Sequence, residues 1–207
     1  MARSLLSNTR TFALAAAIGF AAGAQNAAVE ELVLDSQSLS FDGQAKLFEL
    51  HAPQITQGNL RIQADEALAT GVDFNAASEW TFRGNVRITI DTTEIEAASA
   101  RFTFEQKRLS RGDLEGGPGT PVSFTDVDAA RQTTVTGQAQ KMSYDSIAKT
   151  LRLTDTARMQ KDNVEFQGCD LIYDFGAERV TSGSADCADR FRVIVLRDPA
   201  SSPDAPQ

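Results

Sequence analysis

The chain has 207 residues and a formal net charge of −8. That acidity argues against nucleic acid as a partner, because phosphate binding needs clustered Lys and Arg. Two cysteines and a single histidine, His51, do not make a zinc pattern, and 42% hydrophobic residues supply enough apolar mass for one sizeable core.

The first stretch reads as a secretory leader. Arg3 and Arg10 form a positive n-region, Phe12 to Ala22 a short apolar run, and Ala22-Gly23-Ala24 a small-residue cleavage signal. The run is much shorter than the roughly 20 residues a membrane span needs. Residues 1–24 are therefore expected to be removed, which deepens the negative charge by two and makes a disulfide between Cys169 and Cys187 permissible. The domain is expected to occupy residues 25–197. The Pro- and Ser-rich stretch 198–207 is expected to be a disordered tail.

From there the pattern is β throughout. A first strand lies near Leu32–Leu34, and Leu60 and Ile62 alternate after Gln57-Gly58. Trp80, Phe82, Val86, Ile88 and Ile90 share one face of a long segment. Gly84-Asn85 interrupts that segment by two residues, so the alternation resumes on the same face, as at a bulge. Glu94 to Arg101 holds good helix formers but sits between strand patterns and is read as strand. Arg111 to Pro121, rich in Gly and Pro, is expected to be a loop or corner. Met142 and Tyr144 form one arm of a hairpin whose turn starts at Asp145-Ser146, and Leu151 and Leu153 form the other. Val164 and Phe166 begin a further strand, and Val193 and Val195 alternate in the last.

A strand ending recurs five times: Leu39 to Asp42, Leu68 to Gly71, Phe102 to Glu105, Met142 to Asp145 and Leu171 to Asp174. Intervals of roughly 30 to 40 residues mark a coiled, repeated architecture. The fold class is therefore all-β, with about fifteen short strands coiled into two facing sheets as in a jelly roll. Such a roll does not close at its ends, so the strands near Leu32–Leu34 and Val193–Leu196 are expected to leave edges for pairing.

No G-x-S-x-G, P-loop or H-E-x-x-H motif occurs, so neither catalysis nor a cofactor is expected. A lone His51 lacks an oriented partner set, and Gly116-Gly117-Pro118-Gly119 has no helix after it to make a phosphate cradle. The apolar positions Phe41, Phe82, Ile88, Phe102, Phe104, Phe124, Met142, Tyr144, Leu151, Leu153, Met159, Phe166 and Leu171 are by periodicity a core.

Several pieces carry a family likeness. They are Ser38-Leu39-Ser40-Phe41-Asp42-Gly43 with Ile55 to Asp65, Gly119 to Phe124, GQAQKMSYDSIAKTLRLTDTARM from Gly137 to Met159, and Val164 to Tyr173. In this order the chain resembles the LptA/OstA-like family of periplasmic lipopolysaccharide-transport proteins over roughly Leu32 to Leu196. Two departures stand out: residues 73–104 look like an extra repeat, and the two cysteines are not a family requirement. The resemblance implies a twisted, partly open β-jelly roll, no enzymatic step, and a periplasmic location in a Gram-negative envelope. It implies that the thirteen apolar residues named above wall a groove for the acyl chains of lipid A, carrying lipopolysaccharide from the inner to the outer membrane. It also implies edge-strand pairing with an inner-membrane LptC-like roll, an outer-membrane LptD-like roll and, head to tail, other copies of the chain. The rival readings are a closed adaptor sandwich of an envelope complex that binds no lipid and, ranked below it, a carbohydrate-active envelope enzyme with two carboxylates facing each other in a cleft.

Overall fold

A computed structural model describes residues 31–70, 77–129, 132–183 and 190–196. The expected leader, the expected tail and Cys187 lie outside the described residues. Sixteen strands are described, and the order along the chain is simple. The first six are β1 (Val33–Asp35), β2 (Ser38–Asp42), β3 (Leu47–His51), β4 (Gln54–Gln57), β5 (Leu60–Gln63) and β6 (Glu66–Thr70). Two long strands follow, β7 (Ser78–Ile90) and β8 (Thr93–Glu105), then β9 (Arg108–Glu115), β10 (Val122–Asp128), β11 (Thr133–Ala139) and β12 (Lys141–Asp145). Two more long strands, β13 (Thr150–Lys161) and β14 (Val164–Asp174), precede the short β15 (Arg179–Ser182) and β16 (Arg192–Val195).

All pairing is antiparallel, and the ladder folds over on itself into two facing layers. One layer holds β1, β4, β5, the second half of β7, the first half of β8, β10, β11, the second half of β13, the first half of β14 and β16. The other holds β2, β3, β6, the remaining halves of the four long strands, β9, β12 and β15. A single apolar core lies between them. This is the two-sheet roll that the repeat predicts, and its reason is local: every strand has one apolar face, and only a second layer removes both faces from water.

The four long strands pass from one layer to the other through irregularities. In β7 the register shifts between Arg83 and Val86, leaving Gly84 and Asn85 unpaired with φ of 72° and 47°. In β13 it shifts between Thr154 and Ala157, leaving Asp155 and Thr156 with φ of 63° and 60°. Two extra residues bend the strand without changing which face points inward. Trp80, Phe82, Val86 and Ile88 therefore all stay buried, as do Leu151, Leu153, Ala157 and Met159. On the partner strands a single residue is skipped, Ala98 in β8 and Cys169 in β14. Cys169 is disulfide-bonded.

Three hairpin turns share one construction. Asp42 Oδ1 accepts from the Gln44 and Ala45 N–H groups, Asp145 Oδ1 from those of Ile147 and Ala148, and Asp174 Oδ1 from that of Ala177. Each turn ends on a residue of positive φ, at Lys46, Lys149 and Glu178. The aspartate that closes a repeat marker thus starts the turn that reverses the chain.

Two expectations are corrected. Arg111 to Glu115 are not loop; they complete β9, and only residues 116–121 form the corner. The corner is narrow because the Gly116 N–H donates to the Gln140 carbonyl at 2.9 Å, and a Cβ on Gly116 would press on the Thr120 carbonyl and on Pro121. Phe41 is not buried; it sits on β2, which pairs only with β3 among the described residues. Glu94 to Arg101 is strand within β8, as expected from its neighbours rather than its propensities.

Candidate functional site

The interior between the layers is the only extended apolar surface that the described strands build together. Ten of the thirteen expected wall residues line it at 2% exposure or less: Phe82, Ile88, Phe102, Phe104, Phe124, Met142, Leu151, Leu153, Met159 and Leu171. Tyr144 and Phe166 are half-buried and pack against that cluster. In this state the layers are closed on each other, and the inner faces form a packed core.

Phe41 lies elsewhere, 54% exposed. It is directly opposite Phe48 in the β2–β3 ladder, and the two rings stack at 4.5 Å. Leu39, on the same face, is opposite buried Leu50. Directly opposed residues share a face, so Leu39 and Phe41 belong to the inner face. Both are exposed, and β2 is the outermost strand of its layer among the described residues. The far end mirrors this. Val193 is opposite Phe166, which is in turn opposite buried Met159, so Phe166 and Val193 also belong to the inner face, and Val193 is exposed. Among the described residues β1 pairs only with β4, β2 only with β3, and β15 and β16 only with β14. The apolar interior therefore emerges at both ends of the roll, each flanked by strands with a free edge.

The two largest fully buried side chains, Trp80 and Tyr173, are missing from the expected wall, as are Ile55, Ile62, Ile95 and Leu114. Both carried a signal: Trp80 alternates with Phe82, and Tyr173 stands in the fifth repeat marker. The Trp80 indole N–H donates to the Ser78 hydroxyl at 3.1 Å, which lets the ring stay in the core with its polar edge satisfied.

Along one side, between the turns of the two layers, lies a cavity of about 290 Å³. Its walls include Ile90, Asp91, Asp126 and Val135 from one layer and Tyr144, Tyr173 and Phe175 from the other. Burial, and then the nearby charges of Asp91 and Asp145, push the Tyr144 phenol above its ordinary value, so it stays a neutral donor. On the outer face the Arg152 guanidinium makes a two-pronged contact with buried Asp170, at 2.8 and 2.6 Å. That hydrogen bond, and then the charge of Asp170, push the guanidinium further up. Among the described residues, the surfaces facing each other in the interior are aliphatic, aromatic and sulfur-containing.

Comparison with known proteins bears on this geometry. A family described as "LptA/(LptD N-terminal domain) LPS transport protein" matches residues 68–179. Among solved structures, the chain is similar to LptH, described as the LptA homologous periplasmic component of the conserved lipopolysaccharide transport device from Pseudomonas aeruginosa. The TM-score is 0.51 at 14% identity, covering 81% of this chain and 96% of that one. At that identity the likeness is one of fold. No curated protein matches the sequence.

Proposed function

Because the chain belongs to the LptA/(LptD N-terminal domain) family of LPS transport proteins, a non-enzymatic component of that transport, we propose that it is a periplasmic carrier. In this reading it shelters the acyl chains of lipid A between its layers and hands lipopolysaccharide from the inner toward the outer membrane. The domain that does so is residues 25–197, after loss of the leader. The observation that carries the reading is the unbroken apolar interior that emerges at both ends of the roll beside free strand edges.

The physical need is plain. Each acyl methylene exposed to water costs about 0.8 kcal/mol, so several long chains cannot cross an aqueous space bare. A groove of similar character from end to end lowers that cost without holding the lipid at any one point. The sequence carries no P-loop motif, and in this reading directional movement draws on a partner, an ATPase beyond the inner membrane. The free edges of β1, β2, β15 and β16 are where further rolls add strands. Their occupants are an LptC-like roll on the inner-membrane side, an LptD-like roll on the outer-membrane side, and further copies of this chain head to tail.

A photo-crosslinking amino acid at Phe102 or Leu153, inside, is expected to label lipopolysaccharide in cells. One at Arg101, the outward neighbour on the same strand, is expected not to. Equal labelling at the two faces sinks the carrier reading. The closed packing of the interior favours one rival, an adaptor roll without lipid. That rival predicts no labelling at either position and no lipid in mass spectra of the purified protein.

A further inference from the structure

The layers meet along two long margins, and the margins are built differently. Along one, the spine, the covalent chain itself crosses from layer to layer. It does so at 36–37, at 52–53, at 64–65, at Gly84-Asn85, at Ala98, at 116–121, at Gln140, at Asp155-Thr156 and at Cys169. Backbone bonds tie these crossings together: the Asp65 N–H donates to the Gly84 carbonyl at 2.9 Å and the Gln140 N–H to the Asp155 carbonyl at 3.0 Å.

Along the other margin, turns of one layer face turns of the other. Gly58-Asn59, Asp91-Thr92 and Asp162-Asn163 end the strands of the first layer, and Gln106-Lys107, Ser146 to Lys149 and Phe175 to Glu178 those of the second. No described segment of chain crosses here, and the layers touch through side chains. Near one end the Gln57 amide donates to the Lys107 carbonyl. Near the other, Lys161 Nζ lies 2.9 Å from Glu178 Oε2, an ion pair between the end of β13 and the turn before β15. The 290 Å³ cavity lies on this margin, with Ile90, Asp91, Tyr144, Tyr173, Phe175 and Glu178 among its walls.

A volume of that size is at the lower limit for a drug-sized ligand, so a lipid with several long chains enters only if the layers part. Parting at the spine would stretch backbone, whereas parting at the other margin separates side chains. Resting on the carrier reading, the geometry points to this margin as the seam that opens to admit acyl chains, and to the Lys161–Glu178 pair as the clasp that holds it shut. The interior beneath the clasp is suited to it. Met142, Met159, Leu151 and Leu153 are buried in that half beside the rings of Phe124 and Tyr173, and unbranched methionines repack readily around a guest. The clasp is partly buried, its two side chains 22% and 23% exposed, so it is screened less by salt than a surface pair.

The test bridges the seam in the full chain. Lys161→Cys with Glu178→Cys, joined by a short, cleavable bis-maleimide with the native disulfide kept oxidised, is expected to slow uptake of radiolabelled lipid A at least tenfold. Cleaving the linker restores uptake in the same molecules, which shows them to be folded. A matching bridge on the spine, Lys141→Cys with Asp155→Cys, where the native pair lies 3.4 Å apart, is expected to leave uptake unchanged. Lys161→Met, which removes the clasp without a bridge, is expected to raise the uptake rate about fivefold, the change that about 1 kcal/mol gives. Uptake through a bridged seam at the unbridged rate overturns the seam while the carrier reading stands. An unchanged rate in Lys161→Met overturns the clasp. Failure of bridged and unbridged protein alike to take up lipid A removes the carrier reading, and the seam with it.

Discussion

The strand pair β7–β8 and the strand pair β13–β14 are two versions of one device. Both are long hairpins with a tight turn, Asp91-Thr92 in one and Asp162-Asn163 in the other. Both change layers through a two-residue bulge opposite a single skipped residue. Equivalent positions can therefore be read across. Trp80 corresponds to Leu151, Phe82 to Leu153, Ile88 to Met159 and Phe102 to Tyr173. In the first pair Trp80, Phe82, Phe102 and Phe104 interlock, with ring centroids 5.5 to 6.2 Å apart. In the second, Leu151, Leu153 and Met159 take the places of Trp80, Phe82 and Ile88, while the buried ring of Tyr173 stacks on Phe124 and meets Phe175, with Tyr144, beside the cavity. The same backbone thus carries a stiff half and an adaptable half. The difference teaches that strand pairing sets the shape of the roll while side-chain choice sets where it can yield.

The largest expected effect comes from giving the first half the core of the second. Trp80→Leu with Phe82→Leu deletes two interlocked rings and leaves a cavity. Large-to-small changes of this kind cost about 3–5 kcal/mol, to be read as a lower urea midpoint at unchanged slope. A loss under about 1 kcal/mol would break the claim that the first half is the rigid one. Next is the outer-face pair. Arg152 and Asp170 correspond to Thr81 and Ser99, which carry no charge. Arg152→Thr alone strips a buried carboxylate of its main partner. We expect a loss of about 2 kcal/mol, below the figure for a fully buried pair because the arginine is half exposed. The double change Arg152→Thr, Asp170→Ser restores the first half's arrangement and is expected to recover most of that loss, as a double-mutant cycle would show.

The smallest contrast lies in the bulges. Gly84 has φ of 72°, and a Cβ there would run into the Asp65 carboxylate, which itself accepts from the Asn85 amide at 2.9 Å. Gly84→Ala is expected to cost about 1–2 kcal/mol, from strain and overlap together. Asp155, at the equivalent place, already tolerates a positive φ without such a neighbour. Asp155→Gly is expected to change thermal stability by less than about 0.5 kcal/mol. Equal effects at the two positions would mean that the corner contacts of Asp65 play no part in fixing the bend.

Much of this was legible beforehand. The all-β class, four of the five strand endings in full and the second as far as Thr70 (Gly71 lies outside the described residues), the bulge at Gly84-Asn85 and ten of the thirteen interior residues follow from period-2 alternation, which is a property of the strand alone. Family membership was legible too, because the order of short motifs survives where overall identity does not. What alternation did not carry was position across the roll. Phe41 has the same pattern as Phe104, yet one is exposed and one buried: β8 lies in the middle of its layer, whereas β2 is the outermost described strand of its own. Arg111 to Glu115 looked like loop because Gly112 and the glycines after it weaken a strand signal. Gly112 instead sits opposite Phe102, whose ring fills the space a side chain would need.

By itself, then, the sequence determined which face of each strand is apolar and where the chain turns. Those are local properties, set by alternation and by aspartates that bond their own turns. The tertiary structure alone decided which margin of the roll is covalent and which is held by side chains. Lys161 and Glu178 are one turn-end and another in the sequence, with nothing to mark them. They become partners only because two layers coil until the end of β13 lies over the turn before β15, and that closure depends on the sum of every bend between them.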